Sequence, residues 1–221
     1  DRKGRLTFAG ELVRPYFLVD GQPLGERNPK WINNDYVKFV AFAEKQISKA
    51  GCGTIGYITS NSWLDSPTFR GVRAHLLGSF ALVRIADLHG NINKREVAAD
   101  GSADEGVFQI EEGVGILVAA KIGSLPQVKQ IDVLGSARVD RSDVKFNWLL
   151  GNNLSAIDNQ IHPASPDYLL RPNTNPHGAE YRDYWRVPEL FPFGTVGVVT
   201  ANDDLTVQFT DAEMSDVVRQ F

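Results

Sequence analysis

Several things are scarce in this chain of 221 residues. There is a single cysteine, Cys52, which excludes an intrachain disulfide and any zinc site built from several cysteines. That fits a reducing compartment, and a cytoplasmic location is expected. No apolar run approaches the roughly 18 residues of a membrane span, so no membrane association is expected. No excess of positive charge is present: the formal net charge is −4, which excludes a protein that coats nucleic acid by bulk charge. It does not exclude a local Lys/Arg stripe. The first residues, Asp1-Arg-Lys-Gly-Arg5, have no initiator methionine and no signal-peptide pattern, and read as the start of a segment cut from a longer chain.

Known chemical motifs are missing too. Gly51-Cys-Gly53 and Gly113-Val-Gly115 do not continue as G-x-G-x-x-G, and each precedes a strand pattern rather than a helix. No Walker pattern and no serine-hydrolase elbow occurs. His75, His89, His162 and His177 have no metal-ligand spacing, and each reads as surface or satisfied core. No metal is expected.

What is present is an ordinary globular composition, with 43% hydrophobic and 23% charged residues. Asn33, Asn34 or Asp35 can cap a helix over 34–50. Its buried stripe would include Val37, Val40, Ala41, Glu44 and Ile47, and Gly51 would stop it. A strand over 54–59 follows, then a loop to Pro67, with Ser66 or Thr68 capping a helix over 68–78. Strands are expected at 80–88 and 114–121. Between them lies a long polar loop, 89–106, of the kind that is functional or disordered. Asp20-Gly21 reads as a turn. Residues 125–150 alternate through Ile131, Val133, Val139, Val144 and Phe146 and read as β-rich. Residues 151–185 are loop-rich, with an aromatic cluster at Tyr181, Tyr184 and Trp185. Strands at 197–200 and 205–209 and a helix over 211–220 capped by Thr210 complete the reading.

Three features carry chemistry. Thr59, Ser60, Asn61 and Ser62 stand at the carboxyl end of a strand, where ligands bind in α/β sheets; they equally suit a helix-entry loop built from Asx and Ser turns. Arg70, Arg73, Arg84, Lys94 and Arg95 suit phosphate contact, or simply a solvated surface. Phe108 suits the core, or stacking on an extruded base.

Four separated words bring in a resemblance. They are Leu24-Gly-Glu-Arg-Asn-Pro-Lys-Trp-Ile-Asn-Asn-Asp-Tyr-Val-Lys-Phe39, Gly56-Tyr-Ile-Thr-Ser-Asn-Ser-Trp-Leu-Asp-Ser-Pro-Thr-Phe-Arg-Gly-Val-Arg73, Ala86-Asp-Leu-His-Gly-Asn91 and Gly106-Val-Phe-Gln-Ile-Glu-Glu-Gly-Val114. In order and spacing they resemble adenine-N6 DNA methyltransferases, in particular the large single-chain type ISP restriction–modification enzymes. The resemblance runs through about residues 24–121 and continues more loosely over 146–209. It implies an α/β fold: the C-terminal half of a Rossmann-like methyltransferase sheet (1–123), then a β-rich, loop-rich region leading to target recognition (124–221). It implies double-stranded DNA as partner and S-adenosylmethionine as cofactor, the latter bound mainly by residues outside this chain.

The family's glycine-rich cofactor motif and its Asn-Pro-Pro-Tyr motif are absent, since Asn28-Pro29 continues as Lys30-Trp31. The resemblance therefore implies no catalytic residue in this chain. It makes 54–59, 81–87 and 114–120 the fifth, sixth and antiparallel seventh strands. It assigns Phe108, Thr59, Ser60 and Asn61 to the adenine pocket, and Arg70, Arg73, Asn91, Lys94 and Arg95 to the DNA backbone. A non-catalytic DNA- or protein-binding module derived from such a domain, and an unrelated α/β enzyme, remain alternatives.

Overall fold

The computed structural model describes residues 6–26, 29–98, 100–108, 110–123, 127–137 and 144–172, and in the last part 177, 180, 183–185, 187–191 and 209–220. The chain divides into two compact units, Asp1–Asn173 and Thr174–Phe221.

The first unit begins with a short helix, α1 (Phe8–Val13), and a two-residue hairpin, β1 (Leu18–Val19) with β2 (Gln22–Pro23). Asp20 and Gly21 both take positive φ, 51° and 75°, as a tight hairpin turn demands. Next comes α2 (Asp35–Ala50). Asn34 caps it by accepting from the Tyr36 amide, and Gly51 ends it in the left-handed region. Its buried face is Val37, Val40, Ala41 and Glu44.

The central sheet holds β3 (Gly53–Ser60), β4 (Leu82–Asp87), β5 (Val114–Lys121), β6 (Gln127–Asp132) and β7 (Asn159–Gln160), in the order β3-β5-β4-β6-β7. β5 runs antiparallel to both neighbours, while β4 and β6 are parallel. β5 therefore inserts between two strands, β3 and β4, that share a direction. α3 (Arg70–Ser79) links β3 to β4. No side chain caps it: Phe69 is its N-cap residue, and Ser66 instead opens a single 3-10 turn over Pro67–Phe69.

Alternation along β4 splits the core. Val83 and Ile85 face Val40, Val72, Leu76 and Leu117 in one cluster; Ala86 and Leu88 join Val133, Ile157 and Trp148 in another. The sheet is thus covered on both faces, by α2 and α3 on one side and by α4 (Val144–Gly151) on the other.

α4 corrects one expectation. The alternation that includes Val144 and Phe146 reads as β-rich, yet this stretch is helical. Trp148 and Leu149 pack on the second cluster, and Lys145 is fully buried, its ammonium donating to Leu88 O. A buried cation with distant partners overrides the local pattern. The described residues 127–137 and 144–172 belong to the first compact unit.

In the second unit, Thr210 and Glu213 form a reciprocal capping box at the start of the helix Asp211–Gln220. Val139, Tyr181, the strand expected at 197–200 and all but Phe209 of the strand expected at 205–209 lie outside the described residues, and Phe209 itself is exposed and not in a strand. Among the described residues no helix is long and apolar enough to cross a membrane.

Candidate functional site

At the carboxyl end of β3 the sheet opens into a cavity of about 670 Å³. Thr59, Ser60 and Ser62 bring polar groups to it from the strand end, and Phe108 and Glu112 reach it from the segment before β5. Aromatic walls come from Trp31, Tyr36, Trp63 and Phe69. Trp31 (55% exposed), Tyr36 (45%) and Phe108 (47%) leave much of their surface to solvent, which core aromatics do not. Glu112 accepts a 2.6 Å hydrogen bond from the Ser60 hydroxyl, across the β3–β5 pair.

Asn61 sits differently. It is buried, with its amide donating to Asp87 Oδ1 at 2.8 Å. Gly113 lies against it, and a Cβ there would come within 2.7 Å of the Asn61 amide. Asn61 therefore ties the strand end to β4 rather than facing the cavity.

Behind the cavity is a buried ion network. Asp87, at the end of β4, meets the Arg171 guanidinium at 2.6 Å and also accepts from the His89 amide. Arg171 reaches on to Asp65 in the loop after β3. His89 Nε2 hydrogen-bonds Asp132 at 2.9 Å, and its Nδ1 lies 3.1 Å from the Glu96 carboxylate. Burial works against charging His89, but the hydrogen bond to Asp132 and the charges of Asp87 and Glu96 outweigh it and raise its pKa. The donor atoms of Asp87, His89 and Asp132 lie within 4.8 Å of one another, a spacing that a metal ion could use. Here Arg171, Asn61 and the His89 ring already engage those carboxylates, so the group balances its charge from within.

The long loop 89–106 is held at its base. Asp104 accepts from the Gly90 amide at 2.6 Å and pairs with buried Lys145 at 2.8 Å. The Lys145 ammonium also donates to the Glu105 carbonyl, and the Glu105 carboxylate accepts from the Ala137 amide. These bonds fix the chain just before Phe108.

The candidate DNA contacts separate. Asn91 caps the turn Ile92–Lys94, accepting from the Asn93 and Lys94 amides. Lys94 and Arg95 are exposed on that turn, with Arg95 at φ 50° and Lys94 3.8 Å from Asp65. Arg70 is drawn in by Glu26 and by the carbonyls of Leu24 and Pro67. Arg73 is fully buried, and its guanidinium donates to the carbonyls of Trp63, Ser66 and Asp167. Burial lowers its pKa to about 10. It is a strut between loops, not a group that reaches a phosphate. Thus Thr59, Ser60 and Phe108 converge on one cavity, Asn91, Lys94 and Arg95 share one turn, and Asn61 and Arg73 belong to the scaffold.

Sequence reading missed Glu112, Trp31, Tyr36, Lys145 and Arg171. The first three lie inside the words quoted above. For Arg171 there was no local signal, since its partners are 84 and 106 residues away.

No protein-family model and no curated protein matches the chain. Solved structures do. The ATP-dependent type ISP restriction–modification enzyme LlaBIII bound to DNA is 24% identical, with a TM-score of 0.55 over 79% of this chain and 12% of that one. The DrdV–DNA complex is 21% identical, with a TM-score of 0.61 over 89% of this chain and 20% of that one. A nuclease-deletion mutant of the type ISP enzyme LlaGI, in complex with a DNA substrate mimic, is 20% identical, with a TM-score of 0.64 over 97% of this chain and 20% of that one. The chain spans 12 to 20% of the length of these proteins. In fold, then, the chain matches one segment of type ISP restriction–modification enzymes.

Proposed function

We propose that this chain is part of a restriction–modification DNA methyltransferase that acts on the exocyclic amine of adenine, and that it supplies one wall of the pocket receiving the base. The observation that carries this reading is the cavity at the carboxyl end of β3. It combines aromatic surface left open to solvent with a few polar groups, as a pocket for a flat heteroaromatic requires. A base inside a duplex is out of reach, so it must leave the stack, and Phe108 would stack on it. The exposed turn with Asn91, Lys94 and Arg95 would meet the phosphate backbone and set orientation. The resemblance in the sequence and the likeness to structures solved with DNA both support this.

S-adenosylmethionine would supply the methyl group. Among the described residues no glycine-rich turn opens a helix. The cofactor is assigned mainly to residues outside the chain, as is the catalytic group. DNA as substrate implies a cytoplasmic setting.

The test uses the longer protein from which such a segment would come. It should bind S-adenosylmethionine and form N6-methyladenine, whereas the chain alone should do neither. Turnover of a small substrate by the chain alone would overturn the reading. So would duplex binding by a longer protein that cannot methylate, which would leave a binding module.

A further inference from the structure

His89 has a carboxylate at each nitrogen of its ring. Nε2 lies 2.9 Å from Asp132 Oδ1 and 3.8 Å from Asp87 Oδ2, and Nδ1 lies 3.1 Å from Glu96 Oε1. A neutral imidazole carries one N–H, so one of these sides would then meet a bare lone pair. Only the cationic ring suits both. The other Glu96 oxygen, Oε2, is buried and makes no hydrogen bond among the described residues, so this carboxylate depends on the charge of the ring. The remaining charges around the ring are taken up elsewhere. Arg171 pairs with Asp87 and Asp65, and Lys94 lies 3.8 Å from Asp65. Gln130 donates to Asp132, and Lys145, on the Leu88 carbonyl, pairs with Asp104. The backbone under the ring is fixed: the His89 amide donates to Asp87 Oδ1 and its carbonyl accepts from the Val114 amide.

We infer that His89 is a proton-operated clamp: its cationic ring holds Glu96 at the end of β4 and so closes the turn that carries Asn91, Lys94 and Arg95, while its neutral ring lets Glu96 go. The turn lies between the two residues of the clamp, so the contact closes a small loop at its base. Nε2 faces two carboxylates and Nδ1 faces one, so the proton that leaves for solvent is the one on Nδ1. Glu96 then meets a lone pair at 3.1 Å, acceptor against acceptor, and its side chain swings out because the His89 backbone does not follow. Burial disfavours charge on the ring, but Asp132, Asp87 and Glu96 outweigh it and raise its pKa above 6.5. The clamp is therefore complete below pH 6.5 and is lost as pH rises through the raised folded value. Its bearing on DNA rests on the reading of this turn as a backbone contact, to which it adds regulation: the phosphate-facing turn is ordered at the lower pH.

The experiment follows the intact chain by NMR as pH is raised from neutral, reading the ring nitrogens of His89 and the amides of Lys94 and Arg95, which bond within the turn to Asn91 and Ile92. Both ring nitrogens should be protonated at pH 6.5, and Nδ1 should lose its proton at higher pH. The two turn amides should shift with the same midpoint. Their protection from exchange, corrected for hydroxide catalysis, should fall by up to about tenfold per pH unit towards that midpoint and then level off, as linkage to one proton requires. Glu96→Gln keeps the shape of the side chain and offers Nδ1 an oxygen when it is protonated and an N–H when it is bare. Its turn amides should hold the same protection across the range. A neutral His89 ring at pH 6.5 overturns the clamp; so do turn amides that ignore the ring, and a Glu96→Gln profile that follows the native one. In the longer protein, duplex binding should weaken with the same midpoint, and should not in Glu96→Gln. Turn amides that follow the ring while duplex binding stays flat would leave the clamp standing and remove the turn from the DNA contact.

Discussion

Arg171 places its guanidinium 2.6 Å from the carboxylate of Asp87, a side chain with no exposure to solvent. The same guanidinium bonds Asp65, so Arg171 ties the end of β4 to the loop after β3. Removing the cation leaves Asp87 buried with only the Asn61 and His89 amides and the more distant His89 ring. Arg171→Met should therefore destabilise the chain by about 3 kcal/mol, as for breaking one side of a buried pair. Urea unfolding at neutral pH measures this. A loss below about 1 kcal/mol would mean that water reaches Asp87 readily.

A second buried carboxylate predicts how stability follows pH. Glu44, on α2, accepts from Tyr16 at 2.6 Å, from Ser79, and from His75 at 2.7 Å. Burial alone would raise its pKa, but bonds from His75, Ser79 and Tyr16 outweigh it and hold it below the ordinary 4.5. The Glu44 hydrogen bond raises His75 above its ordinary 6.5, against a smaller effect of burial. The Glu44 contribution is present above pH 4.5 and is lost as pH falls through the lowered folded value. The His75 contribution is full below pH 6.5 and is lost as pH rises through the raised folded value. Unfolding midpoints of the native chain and of Glu44→Gln, compared across pH, should differ most between these limits and converge on either side. A pH-independent difference would mean that the pair does not titrate with folding.

Phe108 makes a separable prediction. It is exposed and held in place by bonds to its neighbours in the chain, so Phe108→Ala should leave the unfolding midpoint within about 0.5 kcal/mol. Base binding should weaken by about 1–3 kcal/mol, the usual worth of a stacked aromatic. Unchanged binding removes Phe108 from the site.

Lys145 and Asp104 hold the loop from below, both fully shielded and 2.8 Å apart. Lys145→Met leaves the Asp104 carboxylate with the Gly90 and Gly135 amides. Amide exchange over 89–106 should accelerate while that in α2 changes far less, because the loop opens locally. Uniform acceleration would show instead that the pair supports the whole unit.

On DNA, Lys94→Ala and Arg95→Ala in the longer protein should each reduce the salt slope of binding by about 1, with little change in sequence preference. Arg73→Ala should act through stability, because its guanidinium is spent on Trp63, Ser66 and Asp167. A salt slope untouched by either of the first two would move the backbone contact elsewhere.

The sequence by itself determined the elements whose causes are local. The stripe Val37, Val40, Ala41 and Glu44, capped by Asn34 and closed by Gly51, is one helix because period and caps agree. The strands expected at 54–59 and 114–121, the Asp20-Gly21 turn and the Thr210 cap are local in the same sense. Thr59, Ser60 and Phe108, which stand in the quoted words, line one cavity. Tertiary structure decided what depends on partners far along the chain. Residues 144–151 are a helix and not a strand, with Lys145 bonded to Leu88 and Asp104 and Trp148 packed on the second core cluster. Arg73 looks like a surface cation until Asp167, 94 residues away, is seen to take its hydrogens. A buried charge is stable only with its partners in place, and those partners meet only when the chain has folded.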